Sequence, residues 1–216
     1  MEDFEASLDD NSLADPLPAH PFDIVRRWRE EAQGLGLNNP DAMVVSTIGE
    51  DGAPRSRTVL CRGFNYERGS LNFYTNRQSE KGRNLSARPE ISACFYFDKV
   101  ARQILVVGSV ELTDEADSDA YWAGRPRLSQ IAAWASAQSE PVASRAALLD
   151  KLRAAAEQFG GMEGGQPVPR PAHWGGYRIV IRRLELWVGA AGRAHDRARW
   201  TRQSPDAPWE VMRLQP

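Results

Sequence analysis

The chain has 216 residues, 42% of them apolar, with 27 basic against 29 acidic side chains and a formal net charge of −2. That is enough for a domain with a proper core, and it supplies no overall field to attract nucleic acid. No run approaches the roughly 18–20 consecutive apolar residues that span a bilayer, and the acidic N-terminus lacks the charged and apolar regions of a signal peptide. Only Cys61 and Cys94 occur, both inside apolar strand patterns. They read as small buried hydrophobes in a reducing compartment, and a cytoplasmic protein is expected.

Residues 1–20 are acidic and proline-punctuated and are expected to be disordered. Residues 21–216 then read as one domain. Pro21 starts a helix, with Phe22, Val25, Trp28 and Ala32 at near-helical spacing and Gly34 and Gly36 as its stop. Residues 42–48 form a strand, closed by the turn 49–52, with a hairpin partner from Ala53 onward. The stretch 57–81 (RTVLCRGFNYERGSLNFYTNRQSEK) reads as strand, tight turn, strand and helix start. Ser79 is its N-cap and the helix runs to about Arg88. Strands follow at 91–97 and 102–112, with Gly108 marking a bulge. The succession is an antiparallel meander, so a barrel or sandwich core is expected, mainly β with added helices. Helical pieces cover about 114–159, ending at Gly160-Gly161, and a Gly/Pro-rich loop reaches Pro171. C-terminal strands occupy about 177–214.

Two cationic clusters stand out. Arg57, Arg62, Thr75, Ser79 and Lys81 bring guanidinium, hydroxyl, ammonium and backbone donors to one strand–helix junction, a seat for a phosphate. The competing reading is a hairpin with solvated basic side chains. Tyr121, Arg125 and Ser129 are spaced four apart, one helical face if Pro126 does not break it. In 193–197 (RAHDR), extended backbone would put Arg193, His195 and Arg197 on one face. That face suits an anionic, partly aromatic ligand, or else is an exposed basic edge strand. Trp187 is placed to stack on a planar ligand or to fill the core. Gly34-Leu35-Gly36 ends a helix and is no dinucleotide fingerprint. No Walker loop or nucleophile elbow occurs, and His20, His173 and His195 are too far apart for a metal site.

Read together, RTVLCR (57–62), FYTNRQSEKG (73–82), RQILVVG (102–108), YWAGRPRLSQIAAWASAQS (121–139), VPRPAHWGGYRI (168–179) and ELWVGAAGRAHDR (185–197) resemble the pyridoxamine 5′-phosphate oxidase family of flavin enzymes. The pieces keep the family's order over about 21–216. The resemblance implies an FMN-binding split β-barrel of antiparallel Greek-key type, and a homodimer with two FMN sites at the subunit interface. It assigns FMN to Arg57, Tyr74, Thr75, Lys81, Gln103, Gln138, Ser139, Trp187 and Arg197. It assigns the phosphorylated B6 vitamer to Arg62, Tyr121, Arg125, Ser129, Arg193 and His195, with Arg193 and His195 orienting the pyridine as the catalytic pair. The implied reaction oxidises pyridoxine or pyridoxamine 5′-phosphate at C4′ to pyridoxal 5′-phosphate. Hydride passes to flavin N5, and O2 reoxidises the flavin with release of H2O2.

The chain departs from the family pattern in three places. Arg62 stands where members usually carry Lys, Glu80 where they often carry Arg, and an N-terminal Arg/Tyr lid motif is missing. Two other readings stay open: a sister oxidase of the phenazine-pathway type acting on another reduced aromatic, and a non-catalytic protein that binds FMN or pyridoxal phosphate.

Overall fold

The computed structural model describes residues 12–164 and 166–216. Helix α1 (Phe22–Gly34) buries Phe22, Val25, Trp28 and Ala32 along one stripe, as their spacing predicts. The strands are β1 (Ala42–Ile48), β2 (Pro54–Leu60), β3 (Phe64–Asn65), β4 (Ser70–Asn76), β5 (Glu90–Phe97), β6 (Arg102–Leu112), β7 (Trp174–Val188), β8 (Asp196–Thr201) and β9 (Glu210–Leu214). Helix α2 (Glu80–Ala87) follows β4, and α3 (Glu115–Ala123), α4 (Arg127–Ala135) and α5 (Arg145–Gln158) lie between β6 and β7. These are five α-helices among the described residues, and none is long and apolar enough to cross a membrane.

The paired strands are antiparallel and run in the order β2-β1-β5-β6-β7-β4-β3, with β8 on β7 and β9 on β8. Among the described residues the sheet does not close. Strand β7 organises it: along one edge it pairs with β6 over 177–188, while the other edge takes β4 over 174–180 and β8 over 183–188. The change of partner coincides with a bulge, since Val107 faces Arg183 but Gly108 faces Ile181. A Cβ on Gly108 would lie 2.0 Å from the Val180 carbonyl oxygen, so only glycine permits the strands to approach this closely.

Alternation along β5 and β6 turns Ile91, Ala93, Phe95, Phe97, Ile104 and Val106 into the core, with Ile179, Ile181, Leu184 and Leu186 of β7. Each of these side chains larger than alanine contributes about 1.5–3 kcal/mol on burial. A second cluster sits under the helices: Trp122, Ile131, Phe159, Val168 and Trp174 close together, and the Trp122 indole donates to the Val168 carbonyl at 2.8 Å. This cluster fastens α3–α5 to the start of β7.

Two expectations need correction. The strand over 57–61 is not the hairpin partner of 71–74. It is β2, paired with β1, and the hairpin onto β4 is the two-residue β3. The chain leaving β2 still lands on β4, because Arg62 N–H donates to the Asn72 carbonyl and Asn72 N–H to the Gly63 carbonyl, both at 2.8 Å. Of the segment expected to be disordered, 1–11 lies outside the described residues, while 12–20 is docked. Leu13 is buried and its N–H donates to Asp196 Oδ2 at 2.7 Å. The fully buried Trp200 donates its indole N–H to the Pro18 carbonyl at 3.0 Å. A buried indole needs an acceptor, and the N-terminal segment supplies it.

Candidate active site

The junction of β4 with α2 is built as the residue types predict. Ser79 caps α2 with an extended backbone, accepting from the Gly82 N–H and donating to the Asn76 carbonyl at 2.6 Å. Lys81, one residue into the helix, is only 6% exposed. Its ammonium donates to Thr75 Oγ1 (3.0 Å), Ser79 Oγ (3.1 Å) and Gln138 Oε1 (2.9 Å), all neutral oxygens. Burial, helped by the Arg57 charge and opposed by Glu80, brings the Lys81 pKa down to about 8. Arg57 is held from β2 by Thr47 Oγ1 at 2.8 Å and the Arg55 carbonyl at 2.7 Å.

From this junction opens a cleft of about 1080 Å³, walled by β2, the end of β4 and the helices α3 and α4. Its far wall is aromatic. Tyr74 and Tyr121 stack at 4.1 Å, and both lie parallel to Trp174 at about 6 Å. The Arg125 guanidinium lies 4.5 Å over Trp174. It donates through Nη2 to the Ser129 carbonyl at 3.2 Å, while Nη1 is buried with no partner among the described residues. Burial, with the neighbouring Arg62 charge, presses the Arg125 pKa below its usual value, Tyr121 opposing.

Ten of the expected site residues line this one cleft: Arg57, Tyr74, Thr75, Lys81, Gln138 and Ser139 of the FMN set, and Arg62, Tyr121, Arg125 and Ser129 of the substrate set. The helix does break, at Gly124 to Pro126, and α3 and α4 nevertheless deliver Tyr121, Arg125 and Ser129 to the same space. Ser139 enters with φ +77°, a left-handed turn at the end of the loop that carries Gln138.

The remaining five do not line it. Gln103, Trp187 and Arg197 stand side by side across β6, β7 and β8. The Trp187 and His195 rings are 4.7 Å apart, and His195 Nδ1 accepts from the Ala190 N–H at 3.1 Å. Arg197 donates from Nε and Nη2 to the buried Glu185 at 3.1 and 2.6 Å. The expected alternation of Arg193, His195 and Arg197 fails. Residues Ala191–Arg193 form a 3-10 turn with Gly192 and Arg193 at positive φ, and the strand starts only at Asp196. The fifteen expected residues thus fall in two places on one chain.

Two cleft residues escaped the reading by residue type. Trp174 forms the back of the aromatic wall, and its signal was the glycine pair behind it. A Cβ on Gly175 would sit 2.3 Å from the Arg77 guanidinium, and one on Gly176 2.7 Å from the Tyr74 ring. Arg55 enters the cleft beside Arg57, where Glu80 lies 3.4 Å from both. Nothing in its spacing marked it.

Residues 29–159 match the profile of the family described as pyridoxamine 5′-phosphate oxidase, and 174–216 match its pyridoxine 5′-phosphate oxidase C-terminal dimerisation region. A pyridoxine/pyridoxamine 5′-phosphate oxidase of Rubrobacter xylanophilus is 46% identical over 94% of this chain and 88% of its own length. One of Burkholderia lata is 42% identical over 98% and 94%. Among solved structures, PhzG from Burkholderia lata 383, in complex with tetrahydrophenazine-1-carboxylic acid, superposes with a TM-score of 0.85 at 27% identity, covering 97% of this chain and 100% of its own. A pyridoxamine 5′-phosphate oxidase-related FMN-binding protein of Nostoc punctiforme shares the fold with a TM-score of 0.70 at 16% identity, covering 92% and 98%. The chain belongs to the pyridoxamine 5′-phosphate oxidase family.

Proposed function

We propose that the protein is an FMN-dependent oxidase that converts pyridoxine or pyridoxamine 5′-phosphate to pyridoxal 5′-phosphate, with O2 as acceptor, on a split-barrel homodimer. The observation that carries this reading is the buried Lys81 ammonium. Among the described residues no carboxylate lies within ion-pairing distance of it, and it is held by three neutral oxygens at a helix start. A buried cation without a counter-charge is costly unless an anion completes it. Arg57 beside it adds a fork suited to phosphate oxygens. The residues present therefore fit a flavin mononucleotide, with Lys81, Arg57, Thr75 and Gln138 at its phosphate end and Tyr74 along its length.

The second phosphate, that of the vitamer, suits Arg125, whose free Nη1 is already desolvated, together with Arg62, Ser129 and Tyr121. When bound, FMN supplies a two-electron acceptor that O2 can regenerate. The chain's own residues bind and orient: the stacked Tyr74, Tyr121 and Trp174 exclude water from one side of the cleft, and the arginines fix the anionic ends of both ligands. Gln103, Trp187, Arg193, His195 and Arg197 sit outside this cleft. In our reading they serve the site of a second copy, in keeping with a C-terminal region of the family's dimerisation type.

The overall similarity to PhzG keeps a second reading in view, an oxidase of another reduced aromatic. The vitamer reading is favoured because the chain is 42% identical to the vitamer oxidase of Burkholderia lata and 27% to PhzG from the same species. An absorbance spectrum with FMN, before and after anaerobic addition of pyridoxine 5′-phosphate, tests it. The flavin band is expected to bleach and to return on admitting air. A band that persists with this substrate and bleaches with a reduced phenazine precursor would transfer the assignment to the second reading. Tight FMN binding with no bleaching by either would leave a binding protein.

A further inference from the structure

Among the described residues Glu80 is the sole carboxylate lining the cleft, against five cations: Arg55, Arg57, Arg62, Lys81 and Arg125. It does not pair with the most buried of them. Its two oxygens reach Arg55 Nε and Arg57 Nη2, each at 3.4 Å. Both guanidiniums are held more tightly by other groups. Arg55 binds Asp51 at 2.7 Å, and Arg57 binds Thr47 and the Arg55 carbonyl at 2.8 and 2.7 Å. Glu80 is therefore not needed to aim either arginine, and its contacts are the longest each arginine makes with a partner. Its side chain is also 44% exposed, against 20% for Arg57, so it can turn outward without unpacking the wall.

Resting on the reading that the cleft's cationic end takes the FMN phosphate, we propose that Glu80 is an internal stand-in for that phosphate. In the ligand-free protein its carboxylate neutralises Arg55 and Arg57. An incoming phosphate displaces it, and the two arginines, kept in place by Asp51, Thr47 and the Arg55 carbonyl, transfer to the phosphate. Affinity for a phosphorylated ligand is thereby lowered by a carboxylate that must leave. Arg55 is the cation that makes the exchange worthwhile, since it adds a donor beyond Arg57 and Lys81. The simple alternative is that Glu80 serves only the start of α2, where a first-turn acid interacts favourably with the free N–H groups.

Binding of FMN and of riboflavin, which lacks the phosphate, separates these accounts when measured by flavin fluorescence on the full chain. With Glu80→Gln, FMN is expected to bind roughly two- to thirty-fold tighter, the range for loss of two competing exposed pairs, and riboflavin to be unchanged. Arg55→Ala should weaken FMN and leave riboflavin unmoved. A helix-start role would lower thermal stability in Glu80→Gln and shift both ligands together. An unchanged or weaker FMN affinity in Glu80→Gln, or an equal shift for both ligands, overturns the exchange. If neither the parent nor Glu80→Gln binds FMN, the FMN reading itself falls and the exchange with it.

Discussion

At the scale of single residues, Lys81 sets the pH behaviour of the cleft. Among the described residues its ammonium faces Arg57 from β2 and Glu80 from its own helix, and otherwise only neutral oxygens of Thr75, Ser79 and Gln138. Because its pKa falls from 10.5 to about 8 on folding, the unfolded chain binds the proton more strongly between those values. The penalty of the buried charge is present in full below about 8 and is relieved as pH rises toward 10.5. The stability of the ligand-free protein relative to Lys81→Met should therefore increase over that window. FMN affinity should do the opposite and weaken above about pH 8, because an anion needs the protonated amine. That fall should vanish in Lys81→Met. A pH series of melting curves and FMN titrations on both proteins checks the two signs, and a pH-independent difference between them would refute the assignment. Ser79, Lys81 and Arg57 were legible because capping and charge are local properties. Arg55 and Trp174 were not, since the cleft neighbours that mark them, Glu80 for Arg55 and Tyr74 and Tyr121 for Trp174, come from distant parts of the chain.

At the scale of elements, helix α2 is pressed against its own approach. A Cβ on Gly82 would lie 2.0 Å from the Arg77 carbonyl oxygen, with backbone and not a flexible side chain as the obstacle. Gly82→Ala should therefore cost about 1–3 kcal/mol, lowering the melting temperature by about 2–4 °C per kcal/mol for a domain of this size. It should also loosen FMN, because the turn that aims Lys81 must shift. Thermal denaturation beside an FMN titration tests this, and a variant that melts with the parent would show that the turn has slack. The periodic elements were legible in the sequence: α1 by its stripe, β6 by alternation, and the bulge by Gly108. The segment 193–197 was not. Its residue types look like an edge strand, yet consecutive left-handed conformations at Gly192 and Arg193 make a turn, and only Gly192 hints at one.

At the scale of the whole molecule, ten expected site residues meet in one cleft, while Gln103, Trp187 and Arg197 stand across β6, β7 and β8, with His195 beside Trp187 and Arg193 in the turn before β8. A site shared between two copies predicts complementation. Lys81→Met and Arg197→Leu should each bind FMN poorly, while a mixture unfolded and refolded together should regain about a quarter of the parent's sites through random pairing of subunits. A mixture no better than the average of its components would place all the determinants in one chain. The sequence by itself determined the mainly antiparallel β architecture with added helices, the capped helix with its cationic seat, and membership of the family. Those follow from alternation, capping and ordered motifs, each a property of neighbours along the chain. Only the tertiary structure decided that residues 12–20 dock on β8, that Arg55 and Glu80 meet Arg57 in the cleft, and that the expected site residues fall in two places. These rest on which distant segments pack together, and that depends on the burial of side chains such as Trp200 and on the branching of strand β7 between β4 and β8.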